Sequence, residues 1–119
     1  MTDPRIAVAR RGEALVASLL ERRGATILGR NVRVGRDEMD LVARAGPLLL
    51  FVEVRTRRSD RFGPPAASID AKKRARFRRA AGRLLASGRF GPGPVRLDAA
   101  GVILAPGRAP VVNYYPAAL

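Results

Sequence analysis

The chain has 119 residues, 47% apolar and 28% charged, which suits one modest domain with its own core. Its 23 Lys and Arg against 10 Asp and Glu leave a net charge of +13, which attracts phosphates, acidic proteins or anionic membranes, with nucleic acid leading. Cysteine and histidine are absent, which excludes disulfides, thiolate or imidazole zinc sites, and every mechanism that needs an imidazole or a thiolate. Carboxylates and cations must carry any chemistry.

The longest apolar run, Pro47–Val52, falls far short of the roughly 20 residues that cross a bilayer. Met1–Ile6 leads directly to Arg10, Arg11 and Glu13 with no long secretory segment. The expectation is a cytoplasmic protein without a membrane partner, a single domain over 1–119 whose residues 1–4 form a flexible tail. Arginine outnumbers lysine 21 to 2, and codon usage in a G+C-rich genome produces such an excess without functional demand. The distribution is more informative: residues 55–89 hold 12 basic and 2 acidic residues, ten of the thirteen excess charges.

In chain order, a helix is expected from about Arg5 to Arg23, with Val8, Leu15, Leu19 and Leu20 as its apolar stripe and Gly24 as its stop. Thr26–Val34 reads as an extended segment with a bulge at Gly29 and Arg30. Glu38–Arg44 and Leu48–Thr56 flank Gly46 and Pro47 and read as a hairpin. The continuous run Leu48–Val52 suggests a central strand covered on both faces. A polar loop through Arg58, Arg61, Phe62, Gly63, Pro64 and Pro65 precedes a helix capped by Ser68 or Asp70 and ending at Ser87. Its core side is Ile69, Phe77, Ala80, Ala81, Leu84 and Leu85; Lys73, Arg76, Arg79 and Arg83 form a separate basic face. Val95–Leu104 and Pro110–Tyr115 complete an α/β chain of order helix-strand-strand-strand-helix-strand-strand, a mixed sheet with helices on both faces.

A hairpin turn centred between Gly46 and Pro47 pairs residues whose numbers sum to 93: Asp40 with Glu53, Val42 with Phe51, Glu38 with Arg55. Opposed side chains share one face with Cβ atoms about 5 Å apart, so two ionised carboxylates there repel by roughly 3 kcal/mol at an effective dielectric near 20. A divalent ion, a guanidinium such as Arg55, or exposure beyond the covered sheet would each relieve this. Mg2+ or Mn2+ suits hard carboxylate oxygens and retains water for attack on a phosphodiester. Arg55 shares the face of Glu53 and is suited to phosphate binding and charge stabilisation, or to a structural ion pair; it is no general base. Glu13, between Gly12 and Ala14, has room for close approach to another element or is an ordinary helix acid. Asp98 supports an arginine or lies near the site, or is an edge acid. Arg57, Arg58 and Arg61 in the loop, with Lys72, Lys73, Arg76, Arg79 and Arg83 on the helix, suit a nucleic-acid backbone, with little base preference. Phe62 either stacks at an end or junction or anchors its loop.

Gly12 and Glu13; Arg30 and Asn31 followed by Asp37–Ala43; Phe51–Arg57; Asp70, Lys72, Lys73 and Arg74; and Arg96–Asp98 together resemble the YraN family of small bacterial proteins, from about Arg10 to Tyr115. The resemblance implies the three-layer core of the restriction-endonuclease-like superfamily. By it, Asp40 and Glu53 correspond to the two metal-binding acids of that superfamily's hairpin, and Glu13 resembles the helix acid of its Holliday-junction-resolvase branch. Arg55 stands where the nuclease motif has lysine, a change of reach, shape and acidity at constant charge. Two functions follow as expectations. One is a Mg2+- or Mn2+-dependent endonuclease for structured DNA, branched or single-stranded, with Asp40, Glu53 and Arg55 catalytic, Glu13, Asp40 and Glu53 on the metal, and Asp98 supporting. The other is a nucleic-acid-binding or assembly module that keeps the nuclease fold with little or no catalysis. Either prefers DNA to RNA and gains surface as a homodimer or within a larger DNA-processing complex.

Overall fold

The structure, a computed structural model, describes residues 3–119. Helix α1 (Pro4–Arg22) is followed by three strands, β1 (Thr26–Val34), β2 (Asp37–Ala45) and β3 (Leu48–Arg57), then by a 3-10 turn at Pro65–Ser68, helix α2 (Ala71–Ser87), and strands β4 (Val95–Ile103) and β5 (Val111–Tyr115). This is the expected order, and each expected element boundary lies within a residue of the observed one; of the two caps expected for α2 it is Asp70 that caps it, through Lys73 N at 2.8 Å, and Gly88 ends it at φ 69°. Of the residues expected as an N-terminal tail, Met1 and Thr2 lie outside the described residues. Asp3 caps α1 by accepting from Arg5 N at 2.9 Å, and Pro4 opens the helix.

The five strands form one sheet in sequence order. Only β3 and β4 run parallel, and α2 supplies the crossover that parallel neighbours require. β3 is central, and its alternate side chains feed two cores. Leu50, Val52 and Val54 pack under α1 with Val16, Ala17 and Leu20; Leu49 and Phe51 pack under α2 with Phe77, Ala80, Ala81 and Leu84. The result is three layers, helix on sheet on helix, a nuclease-like architecture. Phe51 is fully buried, and its side chain alone contributes about 3 kcal/mol by removal of apolar surface from water.

Two expectations about the helices need correction. The buried stripe of α1 is Gly12, Glu13, Val16, Ala17 and Leu20, whereas Val8, Leu15 and Leu19 are only partly buried. The reason is Gly12: a Cβ there would overlap the Thr56 side chain, so the absence of one lets α1 seat its small-residue face directly on β3. Leu85 of α2 is 40% exposed, since the core side of that helix is already filled by Ala81 and Leu84. No helix among the described residues is long and apolar enough to cross a membrane.

Candidate active site

The β2–β3 hairpin turns at Gly46, whose φ of 58° is open to glycine at little cost, and its pairs run from Ala45 with Leu48 to Val42 with Phe51 and Leu41 with Val52. This is the register expected from the turn. Asp40 and Glu53 are the next positions, and the ladder stops one step short of them. Beyond that point β2 stays with β1, as far as Asp37 opposite Val34, while β3 continues along β4 to Arg57 opposite Ile103. The two strands part at the acids. Glu38 therefore lies opposite Arg33, and not opposite Arg55 as the hairpin register implies.

Asp40 fills the gap from its side chain: its Oδ2 accepts the Val54 amide at 2.8 Å. On its other side, Asn31 falls opposite Asp40 between the pairs Arg30–Leu41 and Val32–Met39, and adopts a left-handed φ of 49°. Asparagine tolerates that conformation better than most residues. Its Nδ2 donates to Glu13 Oε2 at 2.7 Å, and Arg10 Nη1 donates to the same oxygen at 3.3 Å and to Glu38 Oε1 at 3.3 Å. Glu13 is 8% exposed, so the close approach that Gly12 permits carries a buried carboxylate to the end of the sheet.

The electrostatics tie the acids together. Burial, then the charge of Glu53, pushes the Asp40 carboxyl up to about 8; the Val54 amide opposes this, Glu13 adds to it and Arg55 subtracts. Glu53 is also raised, by burial, against the opposing charges of Arg55 and Arg76; Glu13 raises it further and a hydrogen bond with Asp40 lowers it. Burial thus opposes ionisation of both carboxyls, which titrate as a pair. Arg55 Nη2 sits 3.1 Å from Glu53 Oε1, and its buried Nε has no partner. Among the described residues, no group of three or more Asp, Glu, His or Cys is arranged to hold a metal ion. The expected three-acid set thus resolves into a coupled pair, Asp40 and Glu53, and a third acid already held by Asn31 and Arg10.

Glu53 and Arg55 open into a pocket of about 200 Å³ between β3 and α2, lined also by Arg36, Glu38, Lys73 and Arg76. Of the expected basic residues, Lys73 and Arg76 line it directly, Lys73 anchored by its Nζ on Ser68 O at 3.0 Å. Arg79 reaches Asp37 at 3.5 Å, and Lys72 and Arg83 are exposed outside the pocket. Arg57 bonds Thr56 O and Ser68 Oγ, while Arg61 lies 5.6 Å from the Phe62 ring. Phe62 is 95% exposed, so it does not anchor its loop.

Asp98 is fully buried in β4 and is saturated by Arg96 Nε at 2.9 Å, Arg96 Nη2 at 3.0 Å, Tyr114 Oη at 2.5 Å and Ala117 N at 2.8 Å. It supports an arginine, but that arginine is Arg96, and the bonds to Tyr114 and Ala117 tie the end of the chain to the sheet. Asn31, Arg10 and Arg36 carry no expected role from sequence. Only Asn31 has a local signal, a residue tolerant of left-handed backbone shortly after the strand's register shift, which falls between Ile27 and Gly29 and so ahead of the bulge expected at Gly29 and Arg30.

A family model described as uncharacterised protein family UPF0102 matches residues 12–102, which include Glu13, the hairpin acids and Asp98. A UPF0102 protein of Streptomyces coelicolor is 45% identical over 114 residues, covering 94% of this chain and 88% of its own. One from Leifsonia xyli is 38% identical over 107 residues, 90% of this chain and 91% of its own. A third, from Sorangium cellulosum, is 43% identical over 119 residues, 98% of this chain and 83% of its own. The matched span holds the three acids Glu13, Asp40 and Glu53, α1 from Gly12 onward and the whole of α2, and the chain belongs to the UPF0102 family.

Proposed function

We propose that the protein is a nucleic-acid-binding module, of one domain, built on a nuclease-like fold, with hydrolysis weak or absent. The observation that carries this reading is how the acid pair is engaged: Glu53 holds Arg55 at 3.1 Å and Asp40 accepts the Val54 amide at 2.8 Å, so each carboxyl already has a partner from within the chain. Around them Arg36, Arg55, Lys73 and Arg76 give the pocket an excess of positive charge. A phosphate entering it exchanges the Arg55 contact with Glu53 for a forked, charge-assisted contact of its own, and the unpartnered Nε is a donor available for that exchange. DNA is the preferred ligand over RNA, in the cytoplasm, with a homodimer or a larger DNA-processing complex extending the contact surface.

A second reading, metal-dependent phosphodiester hydrolysis, is favoured by one feature, the closeness of the two carboxyls, through which the charge of Glu53 raises Asp40. Two hard carboxylates whose protons an ion would displace fit Mg2+ or Mn2+, which take one or two protein carboxylates and keep several waters. Asp40 and Glu53 would hold the ion, and it would supply an activated water and screening of phosphate charge. Arg55 would then bind the phosphate. An ion held by Glu53 Oε1 would take the place that Arg55 Nη2 occupies at 3.1 Å.

One experiment separates them: binding and cleavage of labelled duplex, forked, flapped and single-stranded DNA, and of matched RNA, at low salt with EDTA, Mg2+ or Mn2+. Tight, salt-sensitive binding that ignores the divalent ion, without cleavage, supports the first reading. Divalent-dependent cleavage abolished by Asp40→Ala together with Glu53→Ala supports the second. Failure to bind DNA or RNA at low salt removes both.

A further inference from the structure

We propose that the α1 side of the sheet carries a second anion site, a groove for a single-stranded nucleic-acid segment built around Arg11, Arg58 and Arg108. It rests on the nucleic-acid reading above and adds where a strand lies and in what form. Two adjoining hollows make the groove. One of about 470 Å³ lies between α1 and the segment joining β4 to β5, and one of about 410 Å³ lies between the first turns of α1 and the end of β3. Val8 and Arg58 line both. Arg55 lines the second hollow and also the pocket that contains Glu53, so the two sites are neighbours across β3.

The charge of this groove differs from that of the pocket under α2. The pocket carries Asp37, Glu38 and Glu53 beside its cations, whereas no Asp or Glu lines either hollow of the groove. Among the described residues, none of the ion pairs uses Arg11, Arg58 or Arg108. Folding thus brings three guanidiniums from α1, from the end of β3 and from the β4–β5 connection to one hollow without an internal counter-charge. A polyanion provides the missing charge.

The floor decides between strand forms. Val8, Leu104, Pro106 and Pro110 are apolar surface among the guanidiniums. A duplex turns its phosphates outward and keeps its base faces stacked inside, so it has nothing flat and apolar to lay on such a floor. An unpaired strand offers both phosphates and free base faces. Phe62, 95% exposed, extends the same track, because it borders a third hollow of about 300 Å³ that Arg57 and Arg58 also line. An acidic peptide would satisfy the guanidiniums but leaves the exposed ring without a flat partner.

The test is fluorescence anisotropy at low salt with a labelled oligothymidylate and a blunt duplex of matched length, using the full chain and the variant Arg11→Gln/Arg58→Gln/Arg108→Gln. The expected result is a loss of about tenfold or more in single-strand affinity with a loss of no more than about threefold for duplex. Equal losses for both ligands, or no loss for the single strand, overturn the groove while leaving the nucleic-acid reading in place. Tighter binding of polyglutamate than of oligothymidylate to the unaltered protein also overturns it. Should the triple variant fail to melt cooperatively, photocrosslinking of a 4-thiothymidine strand to the unaltered protein decides: adducts between residues 104 and 110 or at Arg58–Phe62 support the groove, and adducts confined to α2 overturn it. If the unaltered protein binds neither ligand, this proposal falls with the reading it rests on.

Discussion

Asp40 joins Val54 by a side chain where two strands have stopped sharing backbone bonds: its Oδ2 accepts the Val54 amide at 2.8 Å, just past the last hairpin pair, Leu41 with Val52. That one bond keeps a buried donor satisfied while β2 and β3 separate. Separation gives Glu53 and Arg55 a pocket to open into. It also confines the Asp40 carboxyl beside Glu53 in a poorly hydrated place, which is why its proton is held so firmly.

The pH dependence of stability follows from that confinement. Asp40 ionises at its ordinary 3.8 when unfolded and at about 8 when folded, so across this interval the folded chain holds a proton that the unfolded chain has lost. The stabilisation from this group is complete below the unfolded value and is lost as pH rises through the folded one, at a rate on the order of 1 kcal/mol per pH unit. Asp40→Asn keeps an acceptor for Val54 and removes the titration. In EDTA, its melting temperature is expected to stay close to that of the parent near the acid end of this range and to exceed it near the upper end. Melting curves that shift in parallel with pH for both proteins would remove the assignment.

Arg55 is the largest of the influences that hold Glu53 down. Arg55→Ala is therefore expected to raise the Glu53 carboxyl further, visible in a carbon-13 carboxyl titration, and to lower DNA affinity by about tenfold through loss of a forked phosphate contact. A variant that raises the carboxyl without weakening DNA binding would confine Arg55 to an internal ion pair.

Much of this arrangement is legible in the chain itself, and the parts that are not share a cause. The hairpin register follows from a two-residue turn at Gly46–Pro47, and a local turn fixes a pairing that runs as far as Leu41 with Val52. The even run Leu48–Val52 reports burial on both sides of β3 for the same local reason. What the register does not contain is its own end: the strands part because β1 takes β2 and β4 takes β3, a competition between distant segments. The rotation of the α1 stripe towards Gly12 and Val16 likewise depends on Thr56, forty-four positions away. Asp98 reads as a strand acid beside Leu97, and nothing near it announces Tyr114 and the Ala117 amide as its partners. The charge excess in residues 55–89 is plain, but Arg11 and Arg108 lie outside it and meet Arg58 only in three dimensions.

The Gly12–Thr56 contact predicts a steric defect with a partial cure. Gly12→Ala places a methyl group into the Thr56 side chain and is expected to cost about 1–3 kcal/mol through displacement of α1. The Thr56 hydroxyl is buried without a hydrogen-bond partner, so Thr56→Ala alone is close to neutral or stabilising, and combined with Gly12→Ala it recovers part of the loss. Because α1 carries Glu13 to the sheet end, Gly12→Ala is also expected to weaken the Asn31 contact. Additive losses in urea melts of the double variant would show that the two positions do not meet.

Salt dependence distinguishes bound phosphates from a merely charged surface. Lys73 and Arg76 line the pocket, whereas Arg79 is engaged by Asp37 at 3.5 Å and Lys72 lies outside. If phosphate contacts are made where the free cations converge, Lys73→Gln and Arg76→Gln each reduce the slope of log affinity against log salt by about one, while Arg79→Gln and Lys72→Gln change it far less. A surface acting only through its net charge treats the four alike, since each substitution removes one positive charge from the same helix. Anisotropy titrations with duplex DNA over a series of salt concentrations measure the four slopes directly, and equal slopes would reassign binding from the pocket to the face of α2 as a whole.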